Sequence, residues 1–310
     1  MSRDASRSAN GQPLAFLAML GGNAALAFGP AFVREADVGP VAAAFWRLAL
    51  ALPLLLIFAL WQWRRLSAER GAPLPLPPRT VWGLALIGGI FFAADLGSWH
   101  LGILQTKMAN ATLFGNAASL ILAVTTLLLA RRLPRGLESF ALLLAFAGAV
   151  LLMSESSQQG QSRLIGDLLC LLAGVLYAGY VLAMQRARDS LPSWPTLALS
   201  SAAGMVPLLA FALVLGERIV PGDWTPVLLL ALTSQIVGQG LLIWSLPHFS
   251  ALVIGLTLLT QPAIAAIAGW LLYDERLSMV DVIGGLMVGV ALVLIRLPQR
   301  GAGATAEPAQ

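Results

Sequence analysis

Ten runs of apolar residues, most of them close to twenty long, divide this 310-residue sequence almost end to end. They lie near 14–33, 41–61, 80–104, 108–130, 136–153, 164–185, 195–215, 225–246, 250–272 and 280–296. A helix crossing the hydrocarbon core of a bilayer needs about 20 such residues. Lipid offers the backbone no hydrogen-bond partner, so a spanning segment must satisfy its own N–H and C=O groups as a helix. The expected fold is an all-α integral membrane protein of ten transmembrane helices. Composition agrees: 58% of the residues are hydrophobic and 11% charged, against about 45–50% and 25% in soluble domains.

Nearly all connections are too short to fold alone. The longest, 62–79 (QWRRLSAERGAPLPLPPR), has the prolines and charges of an exposed loop. The first apolar run is long and shows no small-residue cleavage site, so no signal peptide is expected. No GxxxxGK[ST] loop occurs, which argues against an ATP-driven pump. Cys170 stands alone and only His100 and His248 are present, so neither a metal centre nor a cofactor is expected. The net charge of +4 is carried by arginines in the loops, which suit a membrane surface and not nucleic acid.

Those arginines set an orientation. With a cytoplasmic N-terminus, thirteen basic residues (Arg3, Arg7, Arg64, Arg65, Arg70, Arg79, Arg131, Arg132, Arg135, Arg186, Arg188, Arg296 and Arg300) lie inside. Five (Arg34, Lys107, Arg163, Arg218 and Arg276) lie outside, and Arg47 lies within a span. This positive-inside bias places both termini in the cytoplasm, with residues 1–13 and 297–310 as tails. A bacterial inner membrane is the expected location.

Residues 102–140 align without a gap to residues 245–283 at a shift of 143 positions. Polar breaks, the long apolar run, the charged turn (Arg131-Arg132 against Asp274-Glu275) and the next helix start (Glu138 against Asp281) coincide. Two halves follow, 14–153 and 164–296, each of five helices. An odd number inverts the second half in the membrane, the arrangement of many secondary carriers with a midplane substrate site.

The stretches PVAAAFWRLALALPLLL, ANATLFGNAASL and LLYDERLSMVDVIGGLMVGVALVLI resemble the EamA family of the drug/metabolite transporter superfamily. Within it the chain is similar to the YddG-type aromatic amino-acid exporters. It departs from the usual pattern in the first half, at RRLPR and at Ser119. The resemblance covers about residues 14–296 and implies export of small metabolites, amino acids among them.

Polar residues inside the spans are the candidate site, because lipid-facing positions tolerate them poorly. At about 1.5 Å per residue, Asn23, Gln235 and Gln261 fall near span centres, with Asn116 slightly outward. Arg47 and Asp95 fall about 3 residues outward of centre and have opposite charge. They are expected to pair, as an ion pair or gate. Asn23 and Asn116 serve either packing or a pocket. Gln235 and Gln239 share a helix face, and Gln261 precedes Pro262, which frees a backbone carbonyl. Trp99, Tyr177 and Tyr180 offer apolar faces to a ligand or pack as core. Trp99 and His100 approach the outer interface, where aromatics anchor helices, and Lys107 is expected to snorkel to water. Gly285 and Gly289 suit a close helix contact, within the chain or at a homodimer seam.

The function expected from these residues is ATP-independent export of small metabolites, amino acids first and aromatic ones favoured, by alternating access. A drug or nucleotide sugar is the alternative solute, and a non-transporting membrane enzyme or structural protein the alternative class. No HExxH, paired-acid or Ser/Lys constellation speaks for an enzyme.

Overall fold

The structure, a computed structural model, describes residues 3–245, 248–249 and 251–297. The tail from residue 298 on, with Arg300, and loop residues 246, 247 and 250 lie outside the described residues. The described residues contain no strand. The first span is α1 (Arg3–Ala27) followed by α2 (Gly29–Glu35), broken at Phe28 where Pro30 removes a donor from the helical ladder. Then come α3 (Pro40–Arg70), α4 (Arg79–Ile103), α5 (Met108–Gly115) with α6 (Ala118–Leu129), and α7 (Gly136–Gln158). The second half runs α8 (Gln161–Arg188) and α9 (Ser193–Val214). Its eighth span is α10 (Thr225–Leu230), a π-helical turn (Ala231–Gly238) and α11 (Gln239–Ser245). The last two spans are α12 (Ala251–Leu258) with α13 (Thr260–Tyr273), and α14 (Met279–Leu294). Nine of these stretches are long and apolar enough to cross a membrane; α14, with 16 residues, is a shorter tenth. The chain is an all-α integral membrane protein.

The expected loop 62–79 is mostly helix. Helix α3 continues to Arg70 and stops at Gly71, whose φ of 66° favours a residue without a Cβ. An Arg65–Glu69 pair of 2.8 Å at i,i+4 supports this last turn beyond the apolar run. Only residues 71–78 are non-helical.

The shift of 143 recurs in the backbone. The fourth span breaks between α5 and α6 at Asn116, and the ninth between α12 and α13 at Leu259. Among the described residues the non-glycine positions with positive φ are Arg131 (48°) and Asp274 (50°). Helix α7 begins with Glu138 accepting from Arg135 N–H at 3.1 Å, and α14 with Asp281 accepting from Ser278 N–H at 2.8 Å. Each pair of positions differs by 143.

Packing has the same symmetry. Spans two and seven, four and nine, and five and ten pack as partners. Span three packs on six as one packs on eight, three on seven as eight on two, and four on six as nine on one. Exchanging every span with the one five further along leaves this set unchanged. At the seam of α7 and α14, Gly148 and Gly284 bring two backbones together. A Cβ on Gly148 would stand 2.8 Å from the Gly284 carbonyl oxygen. The close-packing glycine is therefore Gly284, while among the described residues Gly285 has only Leu113 nearby and Gly289 meets Leu259 within the chain.

Candidate substrate site

Where the spans cross, their polar side chains turn inward and bond to each other. Asn23 of α1 is fully buried; its Nδ2 donates to the Thr257 carbonyl at 3.0 Å. Gln261 Nε2 donates to Asn23 Oδ1 at 2.6 Å, and Asn116 Nδ2 to Gln261 Oε1 at 3.3 Å. Three amides from spans one, four and nine thus form one chain of bonds across the two halves. Asn116 can take part because the break after α5 places it at a helix end.

A second group is built around Arg47 of α3. Its Nε donates to Gln235 Oε1 at 3.1 Å, and the guanidinium lies 5.9 Å from the Trp99 ring. The π-helical turn carries Ser234 and Gln235, whose Oγ and Nε2 are buried without a hydrogen-bond partner among the described residues. Such turns widen a helix locally and recur at functional positions. Trp99 is held between Gly29 and Gly115, and its Nε1 donates to the Ala111 carbonyl at 3.0 Å. Gln239 is half-buried on the same span, beside the Tyr177 hydroxyl.

Arg47 and Asp95, expected to interact directly or through water in at least one transport state, are joined here by neither an ion pair nor a hydrogen bond among the described residues. Asp95 is within electrostatic range of Arg47 and of both tyrosines. It is 8% exposed and makes no hydrogen bond among the described residues. The longer arginine reaches across to the amide of the opposite half instead. Tyr180 is largely packing: Phe92 stacks on it at 4.6 Å and 17°, and its hydroxyl is 3.4 Å from Ser200 Oγ. Tyr177 stands 5.5 Å from it, ring to ring, and is half-buried.

Two expectations at the end opposite the termini are overturned. His100 is not an interfacial anchor; it is fully buried with Nδ1 3.0 Å from the Pro40 carbonyl. Lys107 does not reach water. It is 5% exposed and its Nζ donates to Asp281 Oδ2 at 2.5 Å. A buried partner satisfies the ammonium better than a stretched side chain would.

Residues 164–297, from α8 to α14, match the EamA-like transporter family. The chain carries an EamA-like transporter domain. It is also 24% identical over 270 residues to an uncharacterized transporter of Archaeoglobus fulgidus, covering 85% of this chain and 90% of that one. It is 23% identical over 276 residues to a pseudopaline exporter of Pseudomonas aeruginosa, covering 87% and 92%. A crystal structure of a protein 18% identical superposes with a TM-score of 0.54 over 92% of this chain and 97% of that chain, which shows a shared fold. The family belongs to the drug/metabolite transporter superfamily, and the chain is a transporter, not an enzyme.

The EamA-like domain supplies Gln235, Gln239, Gln261, Tyr177 and Tyr180, while Asn23, Arg47, Asp95, Trp99 and Asn116 come from the half before it. The sequence reading missed Ser234 and the carbonyl of Thr257. It also missed Asp167 of α8, which is fully buried and accepts from the Thr106 hydroxyl. The signal for Asp167 was available, as a carboxylate inside an apolar span is rare unless it has work to do. No signal marks Thr257, since only its backbone takes part.

The end opposite the termini is tied across the halves. Arg34 pairs with Glu275 at 2.8 Å and donates to the carbonyls of Ile103 and Thr106. Glu275 also accepts from Met108 N–H, and Glu217 from the N–H groups of Val41 and Ala42 at the start of α3. Tyr273 donates to Glu35. At the end bearing the termini, bonds between halves among the described residues are fewer: Arg296 to Ser119 and Trp194 N–H to Gln62.

Proposed function

We propose that the chain exports small zwitterionic metabolites, amino acids with aromatic ones favoured, by alternating access and without ATP. The observation that carries this reading is the buried belt at the span crossings, where Arg47 and Asp95 lie near each other without pairing. A buried charge without a matched partner is costly. A ligand bearing both a carboxylate and an ammonium group would relieve both at once. Gln235, whose Nε2 lacks a partner, and Gln239 would hold its polar end with Asn23, Asn116 and Gln261. Trp99, Tyr177 and Tyr180 would bound an apolar side chain. The symmetric exchange of packing partners supports two inverted halves, 14–153 and 164–296, moving against each other around the belt. The ties at one end support a conformation closed there. A relative named for export of pseudopaline supports outward transport of a small metabolite.

The test is counterflow in proteoliposomes containing this protein alone, with radiolabelled L-tryptophan, L-alanine and a nucleotide sugar as separate probes. Exchange of tryptophan above alanine is expected, with none of the nucleotide sugar. Exchange of the nucleotide sugar alone would overturn the reading. Arg47→Met should cut tryptophan exchange by about 10- to 100-fold, the equivalent of a charge-assisted hydrogen bond. The orientation predicts external labelling of Gln158→Cys and Val220→Cys in a Cys170→Ala background, and protection of Ala68→Cys. External labelling at position 68 would invert it.

A further inference from the structure

A second group of buried charges sits at the end opposite the termini, away from the belt. Lys107, the residue before α5, donates to Asp281 Oδ2 with side chains 6% and 2% exposed. Ser278 N–H donates to the same oxygen, while Asp281 Oδ1 is buried without a hydrogen-bond partner among the described residues. Next to it Asp167 is fully buried, and its carboxylate feels that of Asp281. Among the described residues Asp167 has only neutral partners: the Thr106 hydroxyl, Asn110 Nδ2 at 3.4 and 3.5 Å, and Ser156 alongside.

Two carboxylates and one ammonium are gathered here, so the cluster has one negative charge too many for a buried site. We propose that it is a proton-binding site, with the proton on Asp167 while Lys107 and Asp281 are paired. Asp281 is bound by an ammonium and a backbone N–H, both of which need its charge. Asp167 is bound by the Thr106 and Ser156 hydroxyls, which turn round and accept a hydrogen bond from a protonated acid as readily as they donate one, and only distantly by the Asn110 amide. The other titratable groups around it do not supply a balancing charge. Cys170 lies one turn on, Arg163 one turn back is half-buried and bonded to Gln159, Glu155 of α7 accepts from Gln159, and α6 and α9 carry none. Arg34, which donates to the Thr106 carbonyl, is already paired with Glu275. On α4 the nearest are Asp95 and His100, toward the belt.

Lys107 belongs to the first half and both carboxylates to the EamA-like domain, so opening this end separates them. Water entering the cluster would then let Asp167 ionise and give its proton to solvent; closing requires taking one back. The site therefore makes this end a pH-responsive gate: protons favour the closed form. Helix α5 links it to the belt, running from Lys107 at its start to Asn116 at its end.

The test needs no transported solute, so its failure would leave the transport reading untouched. Spin labels at Leu104→Cys and Met279→Cys, both exposed positions flanking the cluster, report the opening of this end in a Cys170→Ala background. The longer distance should gain population as pH rises, and Asp167→Asn, which imitates the protonated acid, should lose that response and stay closed. Infrared spectra of the full-length protein should contain a protonated carboxyl band that disappears in Asp167→Asn and shifts in Asp167→Glu. An unchanged pH response in Asp167→Asn, or the absence of the band, would overturn the proposal. So would opening controlled by sodium at constant pH.

Discussion

Arg131 ends the fourth span in the left-handed region, and Glu138 caps the start of the fifth; 143 residues later Asp274 and Asp281 hold the same backbone positions. The side chains differ. In the first half Glu138 pairs with Arg132 at 2.7 Å, six residues away in the same turn. In the second, Asp281 takes Lys107 and the neighbouring Glu275 takes Arg34, both from the opposite half. One turn closes on itself and the other closes the molecule. A repeat can thus preserve helix ends while the polar chemistry at each end diverges.

The comparison is broken most easily at its charges. Lys107→Met strands Asp281 and should cost about 3–5 kcal/mol of folded stability, as loss of one member of a buried pair does. Adding Asp281→Leu should return most of it, whereas Arg132→Met in the exposed turn should barely move the melting curve. Equal losses for Lys107→Met and Arg132→Met would erase the distinction between the two ends.

The seam is the next test. Gly148→Ala and Gly284→Ala each force a methyl into contact at 2.8–2.9 Å and should each cost about 1–3 kcal/mol by overpacking. A loss confined to one glycine would show that the halves do not share this contact evenly.

The smallest effect sharpens the backbone match. A non-glycine residue in the left-handed region carries a cost of about 1–2 kcal/mol, so Arg131→Gly and Asp274→Gly should each raise stability by about 1 kcal/mol. Thermal unfolding of the purified protein in detergent measures all three sets. A gain at one turn and a loss at the other would mean that the matching φ values arise from different constraints.

Much of the fold was legible because lipid is an unforgiving solvent. It demands long apolar helices, and it penalises stray polar groups enough that Asn23, Arg47, Asp95, Gln235 and Gln261 were conspicuous. The 143-residue offset was legible too, since it is written in the order of polar breaks. Helix α3 outran its apolar run because Arg65 and Glu69 are good helix formers in water as well, and hydropathy cannot see them. Asp167 was legible in kind and was passed over.

The sequence by itself determined the spans, their order, the repeat and the set of polar residues that must be hidden from lipid. Only the tertiary structure decided their partners. Arg47 reaches Gln235 and not Asp95, Lys107 meets Asp281 174 residues away, and His100 turns inward to Pro40. The reason is geometric: spacing along a helix fixes which residues share a face, but the rotation of that face toward a neighbour depends on how all ten spans pack.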